Sequence, residues 1–220
     1  MSTGSITRTG ATTSTDEIVR YDFSERAVHW INALAYSYCL FTGLALFTPY
    51  LYWLAAVLGG GPTIRFWHPW VGLVYLGTIF WMQSRWKGDM APIPEDEQWN
   101  KKLESYIKNE DDKMPAQGRF NAGQKMFWKV MFWSTLVLLI TGVVMWFPEM
   151  MPRGAHFLLG ILIFLHVVAA LVTIAAFIIH VYMSVFLTPG SMKAMMDGTV
   201  SSRWAQVHHR LWYNKVTGRK

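Results

Sequence analysis

The sequence predicts an all-α membrane protein, a transmembrane four-helix bundle with both termini on the cytoplasmic side. Three observations lead there. First, 52% of the 220 residues are hydrophobic and 15% aromatic, and the mean hydropathy is +0.21, which is unlike a soluble domain of this length. Second, four largely apolar stretches, roughly 28–48, 67–84, 127–147 and 156–187, approach or exceed the about 20 residues that cross the hydrocarbon core. Third, the basic residues are unevenly placed. Eight lie between Lys87 and Lys129, six between Lys193 and Lys220, and Arg8, Arg20 and Arg26 lie near the N-terminus. The two remaining connections carry one each, Arg65 and Arg153. Basic residues near span ends are retained on the cytoplasmic side, so this bias places both termini and the long central loop there.

Taken in chain order, residues 1–24 are rich in Ser and Thr and have no apolar core before Tyr21. They do not read as a secretory signal and are expected to form a mobile N-terminal tail. The first helix, about 26–48, has Ser24 as its expected cap and ends near Pro49. A Gly59-Gly60-Gly61-Pro62 turn follows. Pro69 has no backbone donor and fits the first turn of the second helix, about 67–86, leaving His68 at the outer membrane boundary. Residues 87–123, with Pro92, Pro94 and Pro115, read as a cytoplasmic loop in which Glu97 to Lys108 can form a surface helix. The third helix, about 124–147, ends at an external turn marked by Pro148 and Pro152, and Pro189-Gly190 stops the fourth, 156–187. At 1.5 Å per residue the fourth is about 48 Å long, so it must tilt or project beyond the hydrocarbon. Residues 25–187 are thus the transmembrane domain and 188–220 a cytoplasmic C-terminal tail. No internal repeat of convincing fidelity is visible.

The chemistry is bounded by what is scarce. The one cysteine, Cys39, excludes an internal disulfide, a Cys-ligated iron–sulfur cluster and a C-x-x-C-H haem attachment. The net charge of +6 follows from the cytoplasmic basic bias and suits anionic lipid, so it calls for no nucleic-acid partner. Histidine is the informative residue, because a titratable side chain within a span is costly and has a partner or a function. Singly, each histidine reads as readily as a hydrogen-bonded core residue. In combination they do not. His166 and His180 are 14 residues apart, which leaves them about 40° out of register and about 21 Å apart along one helix. Pairing by depth joins His29 to His180 on the cytoplasmic side and His68 to His166 on the external side.

Two neutral imidazoles on opposite faces of an iron in an apolar pocket are what a low-spin b haem requires. Structural zinc usually takes four ligands including thiolates, and no second cysteine exists. The residues therefore point to two haem b groups. His156 lies at the external mouth and reads as interfacial, while His208 and His209, in the basic tail, read as solvated or contacting a partner. Gly43, Gly72, Gly77, Gly142 and Gly160 permit close approach of a helix or of a flat cofactor, and helix packing explains them as well. Trp30, Trp53, Trp67, Trp70, Trp86 and Trp146 read first as interfacial belts.

Several stretches carry a resemblance: Glu25-Arg26-Ala27-Val28-His29-Trp30, His68-Pro69-Trp70-Val71-Gly72, Phe120-Asn121-Ala122-Gly123-Gln124-Lys125-Met126 and His180-Val181-Tyr182-Met183. In the tail, Gly190-Ser191-Met192-Lys193, Val200-Ser201-Ser202-Arg203-Trp204-Ala205 and His208-His209 add to it. Across nearly everything after Tyr21 the chain resembles the cytochrome b (gamma) subunit of membrane-bound respiratory formate dehydrogenases. Cytochrome b subunits of nickel–iron hydrogenases share the plan, but the Asn-Ala-Gly-Gln-Lys run and the tail favour the formate enzyme. Where that family commonly has Gly four residues after the outer ligand of the fourth helix, this chain has Ala170.

The resemblance implies a subunit of the bacterial inner membrane with two partners, an iron–sulfur beta subunit and a molybdenum or tungsten catalytic alpha subunit that oxidises formate outside. It implies a higher-order oligomer of the complex. Electrons would enter at the outer haem, on His68 and His166, and reach the inner haem, on His29 and His180. There a quinone, menaquinone or ubiquinone, would take two electrons and two cytoplasmic protons. Moving each electron inward against a negative-inside potential stores about 2.3 kcal/mol per 100 mV. Asn121, Gly123 and Gln124, before the third helix, offer an amide and free helix-start N–H groups to a quinone carbonyl. A plain helix cap explains them too, and the resemblance favours quinone contact. Lys125 and loop carboxylates are open as proton donors. Two other readings stay open: a cytochrome b subunit of a hydrogenase or another quinone-linked oxidoreductase, and a membrane anchor or transporter without haem.

Overall fold

The computed structural model describes residues 17–219, without the side chain of Arg153. Residues 1–16 of the expected N-terminal tail lie outside the described residues. The chain is mostly helical. A short strand β1 (Glu17–Val19) leads into helix α1 (Phe23–Phe47), and a small helix α2 (Trp53–Val57) bridges to α3 (Gly61–Trp86). Helices α4 (Pro94–Lys101) and α5 (Leu103–Ile107) follow, then the long α6 (Ala122–Trp146) and α7 (Leu158–Tyr182). The chain closes with α8 (Ser191–Asp197), strand β2 (Thr199–Ser201), α9 (Ser202–His208) and α10 (Arg210–Thr217).

The ends of the long helices follow from local chemistry. Asp22, and not Ser24, caps α1: its carboxylate accepts from Glu25 N, and the Glu25 carboxylate accepts from Asp22 N, a reciprocal capping box. The Ser24 hydroxyl instead donates to Asp22 Oδ1 at 2.6 Å. At α3 the helix starts six residues before the expected position, because Gly60, at φ +92°, supplies the turn and Pro62 occupies the first helical turn. Pro69 therefore lies inside the helix. The polar Thr63 and Arg65 had hidden this first turn from an apolar criterion. Asn121 caps α6, again with a reciprocal box to Gln124. Beyond α7 the helix continues as one wider π turn, Met183–Leu187, and Gly190 at φ +95° ends the direction of the chain.

Packing pairs α1 with α3 and α6 with α7 most extensively, and α3 with α6 and α1 with α7 join the two pairs. The buried side chains between them include Tyr36, Tyr75, Ile79, Met82, Trp128 and Met131. Three helices, Phe23–Phe47, Ala122–Trp146 and Leu158–Leu187, are long and apolar enough to cross a membrane. The last is the most apolar, yet only 11% of its most apolar window is buried inside the protein. Ile161, Phe164, Leu171, Ile178 and Phe186 all face outward. Water does not tolerate an apolar face of that extent and lipid does. The chain is an integral membrane protein.

The expected loop and tails form an ordered layer over one end of these helices. Trp99 of α4 is buried, and Lys125 Nζ of α6 reaches Asp96 Oδ2 at 2.8 Å with both side chains nearly buried. Strand β1 pairs antiparallel with β2, Ile18 opposite Val200. Tyr21, Val200, Ala205, Trp212 and Tyr213 belong to the main core. Residues 17–24, expected within a mobile tail, and residues 188–219, expected as a C-terminal tail, are thus built structure; their few apolar residues are spaced to face one another.

His209 departs furthest from its expected solvated setting. It is 2% exposed, donates from Nδ1 to Gly118 O at 2.8 Å, and accepts at Nε2 from Arg20 Nη2 at 3.0 Å. Trp86 likewise is not interfacial but buried, donating to Glu25 Oε1 at 2.7 Å.

Candidate cofactor site

Helix α7 presents His166 and His180, and the structure brings a second imidazole to each. His29, in the second turn of α1, lies with its ring centroid 6.4 Å from that of His180, the planes inclined by 54°. His68, from the first third of α3, lies 6.5 Å from His166 at 58°. These are the pairs that depth predicts, one toward each end of the helices.

The separations suit a shared metal between the rings. With metal–imidazole nitrogen bonds of about 2.0 Å and a ring radius of about 1.15 Å, two trans imidazoles place their centroids about 6.3 Å apart. Both pairs lie within a few tenths of an ångström of that value. Among the described residues no group of three or more His, Cys, Asp or Glu is gathered as a metal site. Each centre offers two nitrogens and no more, the donor set of a bis-histidine haem and not of tetrahedral zinc.

The surroundings are shaped to the rings. An apolar cavity of about 560 Å3 runs beside His68 and His166 and is lined by Gly43, Gly72, Gly142 and Ala170 among others, a volume within the range of about 300–1,000 Å3 typical of ligand sites. A Cβ added at Gly43 would sit 3.5 Å from His68 Cε1, and one at Gly142 would sit 3.3 Å from His166 Cε1. At Gly142 the missing side chain leaves room for an imidazole edge, whereas at Gly43 a Cβ would only reach ordinary contact. Gly77 and Gly160 have nothing within 4 Å of an added Cβ, and neither lines this cavity.

Two threonines were missed by reasoning from histidines alone. Thr42 Oγ1 lies 2.7 Å from His68 Nδ1, and Thr141 Oγ1 lies 2.8 Å from His166 Nδ1. A signal for them exists in the sequence: Leu40-Phe41-Thr42-Gly43 and Leu139-Ile140-Thr141-Gly142 repeat one local pattern on two helices. Each Thr lies against the ring nitrogen and the following Gly lies beside the ring edge, closely enough at Gly142 that a Cβ would crowd it. At the other pair, Phe127 stacks on His180 at 4.5 Å and 11°, and Trp30 meets His29 edge-on at 5.3 Å. His29 Nδ1 is buried with no hydrogen-bond partner. Between the two levels Tyr36 donates to Thr173 at 3.3 Å, and Thr135, whose hydroxyl donates to Met131 O at 2.7 Å, lies 3.1 Å from the Tyr75 hydroxyl.

Of the residues expected at a quinone site, Asn121 and Gln124 are joined by the α6 capping box, which engages the side-chain oxygen of each. Their NH2 donors lie outside it. Gly123 is packed under Trp99, where an added Cβ would stand 2.8 Å from Cη2. Phe127, one helical turn further along α6, touches His180, so this cluster shares the level of the His29 and His180 pair. His156 is exposed, and His208 is half-buried with Asp111 3.7 Å away.

Comparison with known proteins gives matches over most of the chain. Residues 20–198 match the family described as prokaryotic cytochrome b561. The chain is 34% identical over 203 residues to the nitrate-inducible formate dehydrogenase cytochrome b556(Fdn) subunit of Escherichia coli strain K12, covering 90% of this chain and 91% of the relative. It is 33% identical over 202 residues to the formate dehydrogenase cytochrome b556(fdo) subunit of the same strain, covering 91% and 94%. The formate dehydrogenase cytochrome b556 subunit of Haemophilus influenzae is 29% identical over 204 residues, with 90% and 83% covered. A family match over most of the chain, on a scaffold of apolar helices that aligns histidines in pairs, makes this protein a member of the prokaryotic cytochrome b561 family.

Proposed function

We propose that this chain is the di-haem cytochrome b membrane subunit of a formate dehydrogenase complex, carrying electrons from an external iron–sulfur subunit to a quinone on the cytoplasmic side. The observation that carries the reading is the pair of imidazole couples on α7, 6.4 and 6.5 Å between centroids, at two levels of one set of helices. His68 and His166 would hold the outer haem b, and His29 and His180 the inner one. When bound, these haems supply one-electron transfer in an apolar setting. The names of the curated relatives supply formate as the ultimate donor.

In this reading all four long helices cross the membrane in a bundle. Helix α3 is 26 residues long, packs along α1, and turns Phe66, Trp70, Leu73, Val74 and Phe80 outward. Between its two ends its polar side chains are the ligand, His68, and Tyr75 and Thr78, which meet Thr135 and Asn32 inside the protein. The basic asymmetry puts the termini and the 87–123 connection in the cytoplasm, with the ordered layer of α4, α5 and α8 to α10 on that face. The short turns at the other end, 48–60 and 147–157, leave the His68 level open to an iron–sulfur partner, behind which stands the molybdenum or tungsten catalytic subunit. The whole lies in the bacterial inner membrane as a higher-order oligomer.

The protein's own residues have defined tasks. The imidazoles bind, Gly142 gives His166 room, and the aliphatic walls of α6 and α7 exclude water. The free NH2 groups of Asn121 and Gln124, with Gly123 beneath Trp99, orient a quinone carbonyl by neutral hydrogen bonds. Lys125, paired with Asp96 at the same level, lies where a proton can be delivered from the cytoplasmic side.

Membranes holding the whole complex test this directly. Formate should reduce the b haems and added menaquinone or ubiquinone should reoxidise them. If hydrogen reduces them and formate does not, the chain serves a hydrogenase instead.

A further inference from the structure

The two outer imidazoles differ from the two inner ones in a way that fixes a tautomer. Thr42 Oγ1 donates its hydrogen to Tyr38 O at 2.7 Å, one turn back on its own helix, and Thr141 Oγ1 donates to Val137 O at 2.7 Å. A hydroxyl has one hydrogen, so each oxygen meets the facing imidazole as an acceptor. Nδ1 of His68 and Nδ1 of His166 must therefore carry the proton and donate it, at 2.7 and 2.8 Å. Nε2 of both rings is left with its lone pair. Among the described residues no hydroxyl stands beside Nδ1 of His29 or His180, and His29 Nδ1 is buried without a protein partner.

Resting on the di-haem reading above, we infer that Thr42 and Thr141 are positioning residues that lock both outer imidazoles as Nε2 ligands and hold the outer haem's reduction potential low. An acceptor on the far nitrogen raises the basicity of a ligating imidazole, and a more basic ligand favours the higher oxidation state of the metal. Two such bonds act on the outer site and none from a hydroxyl on the inner one. The outer haem is thereby biased to be the weaker electron acceptor, so that an electron entering there runs downhill toward His29 and His180. Repetition of the Thr-Gly pair on α1 and α6 puts the same device on both faces of one centre.

The test is a potentiometric titration of the b haems in the whole complex carrying Thr42→Val, Thr141→Val or both. The outer component is identified as the one absent from His166→Ala. Both haems should be retained, and the outer one should become easier to reduce, by about tenfold in its equilibrium for the double variant, which is about 59 mV for one electron. The inner component should not move. Thr42→Ser and Thr141→Ser keep the acceptor and should restore the wild-type value. Each single valine variant keeps one bond, so a partial shift is readable even if the double variant fails to assemble. Wild-type potentials in both single variants with both haems present overturn the inference, as does a serine variant that shifts as far as valine. A wild-type complex with no haem overturns the di-haem reading instead.

Discussion

Arg119 Nη2 lies 2.8 Å from one carboxylate oxygen of Glu25 and 2.9 Å from the other, joining the segment before α6 to the first turn of α1. The same carboxylate accepts from Trp86 Nε1 and from the backbone of Asp22, so it is a four-way junction with a side chain 5% exposed. Removing one partner of a buried pair leaves the other charge uncompensated, which costs about 3–5 kcal/mol. Glu25→Ala should lower the thermal midpoint in detergent markedly and Glu25→Gln less, since the one amide oxygen still accepts from either Trp86 Nε1 or Asp22 N. Equal midpoints for wild type and Glu25→Ala would show that this junction is incidental.

The capping box at α6 lets two roles of Asn121 be separated. Asp caps a helix about as well as Asn, but it has no NH2 donor. Asn121→Asp should keep stability and haem content and lower quinone reduction, whereas Asn121→Ala should also lose about 1 kcal/mol of stability. Unimpaired quinone reduction in Asn121→Asp removes this amide from the quinone site.

Acid should loosen the layer formed by α4, α5 and α8 to α10 through His209. Burial, and then the Arg20 guanidinium beside it, hold its imidazole well below the usual value of 6.5. Below that value the unfolded chain binds a proton that the folded chain refuses, so stability is full above about pH 6.5 and is lost as pH falls toward the folded value. Thermal midpoints measured at about pH 7.5 and about pH 5.5 should separate for the wild type. The separation should shrink in His209→Gln, which has no proton to gain; an undiminished separation places the acid sensitivity elsewhere.

Gly142 tests the fit of the outer ring. Its missing Cβ would already be 3.3 Å from His166 Cε1, so Gly142→Ala asks the ring to yield by tenths of an ångström and Gly142→Val adds two carbons beyond that. The alanine variant should keep the outer haem with a perturbed spectrum, and the valine variant should lose it while retaining the inner haem. Full retention in the valine variant would mean that the ring does not need this space.

The helices and the histidine pairs were legible from the sequence because both are periodic. Apolar stretches fix three of the spans, and the 14-residue interval between His166 and His180 fixes one face of α7. What periodicity does not encode was missed. The first turn of α3 is polar, so its true start at Gly61 was hidden and Pro69 was placed too near the end. Residues 17–24 and 188–219 are held by Arg20, Tyr21, His209 and Trp212, single long-range contacts with no local signature. Thr42 and Thr141 sit in apolar runs where a hydroxyl that bonds its own helix attracts no notice, and only the repeated Leu-x-Thr-Gly pattern marks them.

The central claim is that each chain holds two haems, each between two of the four paired histidines. Haem b content per chain, measured on the purified complex together with the reduced-minus-oxidised spectrum, addresses it most directly. The wild type should carry two low-spin haems per chain, and either His68→Ala or His29→Ala should carry one, with the remaining haem unchanged. A wild-type content of one or none, or a His68→Ala protein that still carries two, would contradict it.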